Sequence, residues 1–258
     1  MGKSPIQRNN YSILAEIYDK VMSDVDYETW TDYIDEIILM HNPEAVEVLE
    51  LACGTGTMAL SLEELDCYNI TATDLSLQMI DIARQKALEV NSDIDFFPMN
   101  FLDIHLDKKF DVVFMVFDSI NYLHNPDDII ELHHQVRRIL NPDGIFIYDF
   151  TTPRNSRTAI KFLNNEKKNI EPNYKYERES RYDAKERVHT NEFVIKKLDP
   201  IGKEIVETFL EVHHQKIYTI KQIEKIIEST DFTILESYDG FELKPAHSKS
   251  LRITMVLQ

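Results

Sequence analysis

The sequence predicts an α/β protein with a doubly wound, mostly parallel seven-stranded sheet and an antiparallel β insertion after the fifth strand. Three observations lead to this fold class. Short β-type runs alternate with helical segments between residues 45 and 150, the pattern of βαβ units and a parallel sheet. After residue 150 the alternation gives way to β-type runs separated by turn signals. A helical segment and two further β-type runs then close the chain.

The first 43 residues precede the alternation and predict a helical cap. Apolar side chains follow helical spacing at 13–21 and again at 30–38. We therefore expect two amphipathic helices joined near residues 23–27.

The alternating region supplies five strands and three helices. The strands are predicted at 46–51, 69–73, 94–97, 111–117 and 144–149, and the helices at 57–65, 76–90 and 127–140. Pro142 and Gly144 mark a turn before the fifth strand. A parallel sheet covered on both faces places its ligands beyond the carboxyl ends of its strands.

The insertion and the chain end complete the organisation. Residues 174–218 hold three β-type runs interrupted at "YDAKE" and "DPIGK", which predicts an antiparallel meander, and 164–173 are expected to form a mobile loop. A helix capped by Thr219 and strands within 233–240 and 250–258 follow. The expected organisation is a main domain of residues 1–150 and 219–258, whose residues 1–43 are the cap. Residues 151–218 are an insertion for substrate cover or dimerisation.

Charge and composition restrict the function classes. The 258 residues include 28 basic and 45 acidic side chains, a net charge of −17, which opposes nucleic acid as the main substrate and favours small neutral or cationic molecules. No apolar run approaches the ~20 residues of a membrane span. The first ten residues lack an apolar leader, and both cysteines read as reduced thiols, so a cytoplasmic protein is expected. The histidines show no metal-ligand spacing, so no metal is predicted.

The segment "LELACGTGTMAL", residues 49–60, carries the strongest local signal. Gly54 and Gly56 lie where the first strand turns into its helix, and glycine lets the backbone approach a ligand closely. Asp74 ends the second strand, twenty residues after Gly54, where a carboxylate can accept both hydroxyls of a ribose. The motif alone fits a nicotinamide dinucleotide and S-adenosylmethionine equally.

Four segments in order narrow this choice. They are "VLELACGTG", "TATDLSLQMIDIAR", "FDVVFMVFDSINYL" and "LNPDGIFIYDF". Together they resemble the successive motifs of class I S-adenosylmethionine-dependent methyltransferases over residues 45–150. The flanking segments resemble small-molecule N-methyltransferases such as the aminosugar N,N-dimethyltransferases and, more distantly, glycine N-methyltransferase. The resemblance implies a Rossmann-like fold, S-adenosylmethionine as cofactor and methyl transfer.

The resemblance also implies a cofactor site. Its residues would be Ala52, Gly54 and Gly56 beside the methionine and ribose, Asp74 on the ribose hydroxyls, Leu75 and Met79 around the adenine, Asn100 and Phe101 near the adenine amino group, and Phe117 offering its carbonyl to the methionine amino group. Aromatic side chains of the cap would close over the cofactor and exclude water: Tyr11, Tyr18, Tyr27 and Trp30.

The acceptor would meet residues after the fourth strand and in the insertion. Three residues are candidates for a catalytic role: Tyr122 as a general base or orienting group, Asp118, which could stabilise an ammonium group, and Tyr18 of the cap. His213, like His189 and His214, could reach the pocket, and Arg252 could hold an anionic part of the acceptor.

The predicted function is in-line transfer of a methyl group to a small-molecule amine or hydroxyl compound, with catalysis mainly by positioning. Methylation of tRNA or protein and a non-catalytic cofactor-binding or assembly module are the alternatives. A homodimer through the insertion is expected.

Overall fold

The structure, a computed structural model, describes residues 5–202 and 204–258. Its strands, in chain order, are β1 (Ile6–Gln7), β2 (Glu47–Leu51), β3 (Asn69–Asp74), β4 (Asp95–Pro98), β5 (Phe110–Met115), β6 (Leu140–Thr151), β7 (Glu166–Ile170), β8 (Tyr174–Asp183), β9 (Val188–Leu198), β10 (Ile205–Lys216), β11 (Ile234–Asp239), β12 (Glu242–Pro245) and β13 (Arg252–Leu257). The α-helices are α1 (Tyr18–Val21), α2 (Tyr27–His41), α3 (Thr57–Glu63), α4 (Leu77–Val90), α5 (Pro126–Ile139), α6 (Pro153–Leu163) and α7 (Ile220–Ile227). Single 3-10 turns occur at Leu14–Ile17 and Ser119–Tyr122.

The larger sheet has the strand order β12-β11-β13-β6-β5-β2-β3-β4. Strands β2 to β6 are parallel, and β13, β11 and β12 add antiparallel pairs beyond β6. The predicted α/β fold class is confirmed. The eighth strand, β12, was not predicted, because its sequence "ELKP" lacks β-type residues and it forms by pairing with β11.

The core lies on both faces of this sheet. Helices α2, α3 and α4 pack on one face, and α5 and α7 pack on the other. Consecutive residues of β5, from Val112 to Met115, are fully buried because their side chains point alternately to the helices on the two faces of the sheet. This doubly wound arrangement leaves the carboxyl ends of β2, β3 and β5 at one edge.

The first predicted helix of the cap is much shorter than expected. Only a 3-10 turn and the four residues of α1 form, whereas the second predicted helix is present as α2. The buried carboxylate of Glu211 accepts the backbone N–H groups of Ile13 at 2.5 Å and Leu14 at 3.0 Å. The segment is therefore held by the insertion, and its apolar residues pack there. Strand β1 also adds to β10 in parallel.

The insertion contains the predicted three-stranded meander, β8 to β10. Two features differ from prediction. Residues 166–170, expected within a mobile loop, form β7, which pairs with β8 and is supported by the ion pair of Glu166 with Arg178 at 2.5 Å. Helix α6 precedes it, and its N-cap Thr152 accepts the N–H of Asn155 at 3.3 Å. Strand β7 was not predicted because its side chains are mostly charged. The ion-pair partner of Glu166 lies on a different strand, β8, and could not be recognised from the local sequence.

Two local expectations need smaller corrections. The turn expected at Pro142 and Gly144 lies inside β6, where the pairing register with β5 shifts. Thr219 does begin α7, and the Gln222 side chain accepts its backbone N–H at 3.0 Å. Within residues 5–202 and 204–258, no helix is both long enough and apolar enough to cross a membrane.

Candidate active site

A cavity of about 650 Å³ lies at the carboxyl ends of β2 and β3, beneath the N-terminal segment. Most of the predicted cofactor residues line it: Tyr11, Tyr27, Ala52, Gly54, Asp74, Leu75, Met79, Phe101 and Phe117. Tyr18 and Tyr122 line it as well.

The loop after β2 leaves backbone open to this cavity. Gly54 has φ +56°, and a β-carbon there would meet, among the residues that the structure describes, only Tyr18, at 3.9 Å. Its N–H donates to Asp74 Oδ2 at 2.9 Å. Because glycine has no side chain, the space between the loop and the cap stays open. A bound molecule can therefore approach the backbone of Gly54 closely.

Gly56 serves the fold rather than the cavity. Its φ is +75°, and a β-carbon would lie 2.7 Å from Cε1 of Phe96 on β4. It does not line the cavity. The second glycine of the motif thus lets α3 begin close against the sheet.

Asp74 is partly buried at the opening of the loop. Its Oδ1 accepts the N–H of Ser76 at 2.8 Å, and Ser76, which accepts the N–H of Met79 at 3.3 Å, is the N-cap of α4. Burial raises the pKa of Asp74, and the N–H groups of Ser76 and Gly54 oppose that rise. The carboxylate can accept further hydrogen bonds from a ligand.

Glu50 was not among the predicted site residues, although it lines the same cavity. It is 2% exposed, and its Oε2 has no hydrogen-bond partner among the described residues. Burial raises the pKa of Glu50 well above its usual range. A carboxylate inside the apolar run "VLEL" was the signal, because a strand buried on both faces rarely carries one.

The N-terminal segment closes over the cavity through polar contacts. Ser76 Oγ donates to the carbonyl of Tyr11 at 2.9 Å. Lys86 on α4 donates to Asp19 of α1 at 3.0 Å and to Thr57 at 2.7 Å. The segment is thereby tied to the loop after β2 and to α4.

A second cavity, of about 460 Å³, lies beyond this segment and is covered by the insertion. The predicted residues Trp30, Asp118, His213 and Arg252 line it, as does His189. His214 does not, because it points away from the inner face of β10 and bonds to Thr190 at 3.1 Å. Within the described part of the chain, four side chains line both cavities: Tyr11, Tyr18, Phe117 and Tyr122.

Three of the predicted side chains form a hydrogen-bonded chain at this shared wall. Tyr11 Oη and Tyr122 Oη are 2.6 Å apart, and Tyr122 Oη lies 2.9 Å from His213 Nδ1. Burial is the largest cause that raises the pKa of Tyr11, Tyr18 and Tyr122 far above the usual range. The three hydroxyls therefore stay protonated and act as neutral hydrogen-bonding groups.

Asp118 and Arg252 belong to a separate charged cluster. Arg252 pairs with Asp118 at 2.5 Å and with the buried Asp149, while Gln215 also donates to Asp118 at 2.5 Å. Burial raises the pKa of Asp149, and the Arg252 charge opposes that rise. The Arg252 guanidinium is thus balanced by two carboxylates, and it also lies 5.5 Å from the Trp30 ring.

Four of the eight non-glycine residues with positive φ in the described part of the chain line the cavities. Tyr11, Ala52, Phe117 and Asp118 all have φ between +51° and +59°. Side-chain-bearing residues adopt this left-handed region at a cost of about 1–3 kcal/mol each. The strain is consistent with a site that needs these residues in fixed orientations.

Besides Gly56, two predicted cofactor residues lie elsewhere than expected. Asn100 is exposed and lines neither cavity, and its Oδ1 accepts the N–H of Leu102 at 2.9 Å. Trp30 packs on Phe117 with ring centroids 4.4 Å apart and faces the second cavity rather than the first.

Comparisons with known proteins agree with this geometry. A family model described as a methyltransferase domain matches residues 48–144, which include the glycine loop, Asp74 and Tyr122. A crystal structure of an S-adenosylmethionine-dependent methyltransferase from Clostridium acetobutylicum is 26% identical, with a TM-score of 0.77, covering 96% of this chain and 98% of that one. This chain is an S-adenosylmethionine-dependent methyltransferase.

Two further proteins are similar to this chain in sequence, one over most of its length and one over about half of it. YqeM of Bacillus subtilis (strain 168), an inferred methyltransferase, is 28% identical over 87% of each chain. The dTDP-3-amino-3,6-dideoxy-alpha-D-glucopyranose N,N-dimethyltransferase of Streptomyces fradiae is 26% identical over 53% of this chain and 52% of its own length.

The first cavity of the methyltransferase fits its cofactor. Gly54 offers bare backbone, Asp74 offers a carboxylate for hydroxyl groups, and Glu50 offers a buried oxygen without a partner. Met79 and Phe101 add apolar surface. These are the donor, acceptor and apolar groups that an amino acid joined to a nucleoside requires.

Proposed function

We propose that this methyltransferase methylates a small-molecule amine or hydroxyl compound held in the second cavity. One observation carries the proposal: Tyr11, Tyr18, Phe117 and Tyr122 line both cavities. A donor in the first cavity and an acceptor in the second therefore meet at these four side chains.

The second cavity supports a small acceptor. Its volume of about 460 Å³ lies in the range of pockets for small ligands, and the insertion, the cap and the main sheet all contribute to its walls. Its walls combine aromatic rings, including Trp30 and Phe193, with polar and charged side chains such as His213. The Streptomyces fradiae relative acts on an aminosugar nucleotide, which also favours a small amine.

The residues of the shared wall would act by positioning. Bound S-adenosylmethionine supplies a methyl group on a positively charged sulfur, and no metal or covalent enzyme intermediate is needed for its transfer. Tyr18 and Phe117 present aromatic surface to this wall and exclude water. Tyr122 would orient the nucleophilic atom, since its hydroxyl is neutral and held at 2.9 Å by His213. Aligning two reactants in this way can lower the barrier by about 7–11 kcal/mol.

Turnover of S-adenosylmethionine with a deuterated methyl group tests the proposal. The protein is incubated with a panel of amines and hydroxyl compounds and with a small-molecule extract of the native host, and labelled products are read by mass spectrometry. We expect a labelled small molecule. A protein that labels tRNA or protein but no small molecule would favour the alternative function.

A matched pair of variants on α6 tests the place of the acceptor. Ala159 lines the second cavity and not the first, so Ala159→Trp should fill the acceptor space while S-adenosylhomocysteine still binds. Thr158→Trp, on the exposed face of the same helix, is the control. Full turnover by Ala159→Trp would contradict the proposal.

Three further predictions belong with this function. They are the division into a main domain (1–150 and 219–258) and a covering insertion (151–218), a cytoplasmic location, and a homodimer through the insertion. The outer strand β7 carries Lys167 and Lys168, and charged edges oppose strand pairing. A dimer would therefore use another face of the insertion, and light scattering that shows only monomer would exclude it.

A further inference from the structure

We propose that Glu211 and His213 form a proton relay that removes, through Tyr122, the proton that the acceptor loses on methylation. The inference rests on the proposed function and adds a requirement: the acceptor carries a hydrogen on its nucleophilic atom. Glu211 was not predicted as a site residue, and three distant segments of the chain contribute to the relay.

The inner face of the insertion sets this geometry. Along β10, Glu211, His213 and Gln215 alternate onto the face that covers the second cavity, and His213 is opposite Asn191 of β9. Glu211 is fully buried and His213 is 2% exposed. Glu211 Oε1 is occupied by the backbone N–H groups that hold the cap.

The other oxygen of this carboxylate faces the imidazole. Glu211 Oε2 lies 3.5 Å from His213 Nε2, within ion-pair distance, and neither atom has a hydrogen-bond partner among the described residues. A carboxylate on this side favours the tautomer with hydrogen on Nε2. His213 Nδ1 then accepts the Tyr122 hydroxyl at 2.9 Å, and Tyr122 Oη accepts the Tyr11 hydroxyl at 2.6 Å.

The tyrosine hydroxyls of this hydrogen-bonded chain would transfer a proton to the next group without remaining deprotonated themselves. Burial raises the pKa of Tyr122 and of Tyr11 well above the usual range, so a stable tyrosinate is disfavoured. The His213 imidazole has two ring nitrogens, so it can carry a hydrogen on Nε2 and accept a second one on Nδ1. The buried carboxylate beside it can stabilise the resulting positive charge.

The proton balance follows from this arrangement. An amine or hydroxyl acceptor that gains a methyl group must release one proton to form the neutral product. That proton bonds to Tyr122 Oη as the hydroxyl proton of Tyr122 moves to His213 Nδ1. His213 becomes an imidazolium between Tyr122 and Glu211, and it returns the proton to water after the product leaves. Tertiary amines and thioethers have no such proton and would not use the relay.

The other charged groups near His213 are already paired. Arg252 pairs with Asp118 and Asp149, and Arg178 pairs with Glu166. The titratable and charged groups that face His213 or line the same cavity are Tyr11, Tyr18, Asp118, Tyr122, Arg178, His189, Glu211 and Arg252. Of these, Glu211 is the carboxylate in contact with the imidazole.

Nitrogen NMR of histidine-labelled protein with S-adenosylhomocysteine tests the tautomer without an acceptor. We expect His213 to carry its hydrogen on Nε2 in the wild type. Glu211→Gln keeps an oxygen for the cap N–H groups but places an amide NH₂ toward Nε2, so the hydrogen should move to Nδ1. Glu207→Gln, exposed on the same strand, should change nothing. Hydrogen on Nδ1 in the wild type would overturn the relay.

Kinetics separate a relay from a structural role. The test uses the secondary amine of the panel that is methylated fastest and its N-methyl counterpart. Glu211→Gln and His213→Gln should lower kcat for the secondary amine by about 10²-fold with little change in KM, and leave the rate with the tertiary amine nearly unchanged. His214→Gln is the matched control, since His214 is exposed. Equal losses with both amines, or no loss, would overturn the relay.

The two experiments also distinguish failure of the proposed function from failure of the relay. If the wild type methylates no small molecule, the proposed function fails, and the tautomer measurement still decides whether the relay exists. If methylation proceeds and the variants behave like His214→Gln, the relay alone is wrong.

Discussion

Asp74 Oδ2 accepts the backbone N–H of Gly54 at 2.9 Å, so the end of β3 is bonded directly to the loop after β2. The twenty-residue spacing between them thus has a structural meaning before any ligand binds. One carboxylate fixes the glycine loop, caps no helix itself, and still faces the first cavity.

Removal of this carboxylate should weaken cofactor binding. Asp74→Ala loses both the support of the loop and the acceptor for ligand hydroxyls, and hydrogen bonds to charged groups contribute about 1.5–3 kcal/mol. We expect the affinity for S-adenosylhomocysteine, measured by calorimetry, to fall about 10-fold to 100-fold. Asp81→Ala, exposed on α4, is the control. A fall of less than threefold for Asp74→Ala would contradict this role.

The two glycine substitutions Gly56→Ala and Gly240→Ala should differ in cost. Both residues have positive φ, but a β-carbon at Gly56 would lie 2.7 Å from Phe96, whereas a β-carbon at Gly240 would have no atom of the described residues within 4 Å. We expect Gly240→Ala to lower the free energy of unfolding by about 1 kcal/mol and Gly56→Ala by about 2–4 kcal/mol. Urea unfolding measures both, and equal losses would show that the contact with Phe96 is relaxed.

Acid should destabilise the protein through His133. Burial lowers the pKa of His133 to about 4, against an unfolded value of about 6.5. The unfolded chain therefore binds the proton more readily, so the stability is complete above pH ~6.5 and falls by about 3 kcal/mol as the pH approaches 4. His133→Gln should lose this component of the pH dependence in urea unfolding. His134→Gln, whose side chain is exposed, should keep it, and identical pH profiles would refute the assignment.

Lys86 should control the closure of the N-terminal segment. Its contacts with Asp19 and Thr57 are partly exposed, so Lys86→Met should cost less than about 1 kcal/mol of global stability. Amide hydrogen exchange in residues 5–25 should nevertheless become faster, and S-adenosylhomocysteine should dissociate faster. Lys167→Met removes an exposed ion pair of the insertion and serves as the control. Unchanged exchange in residues 5–25 would remove Lys86 from this role.

The main sheet could be predicted from the sequence because its parallel strands are buried on both faces. Such strands appear as continuous apolar runs, and they need no distant partner to be recognised. The glycine loop and Asp74 were found for a similar reason, since the turn between a strand and its helix is local. Most residues predicted for the cofactor do line the first cavity.

The missed features depend on contacts between distant segments. Strand β7 is stabilised by Arg178 against Glu166, and its charged sequence resembles a loop. Gly56 belongs to the same motif as Gly54, but it has to be glycine because of its contact with Phe96, forty residues later in the sequence. Glu211 looks like one more acidic residue of a meander until the fold brings it beside His213 and the cap.

Tyr11 and Tyr18 belong to one short stretch of backbone that roofs both cavities. Occupancy of either cavity restrains that stretch, so the ordering entropy is lost once and shared by both ligands. Donor and acceptor should consequently bind with positive cooperativity, each strengthening the other by the same factor.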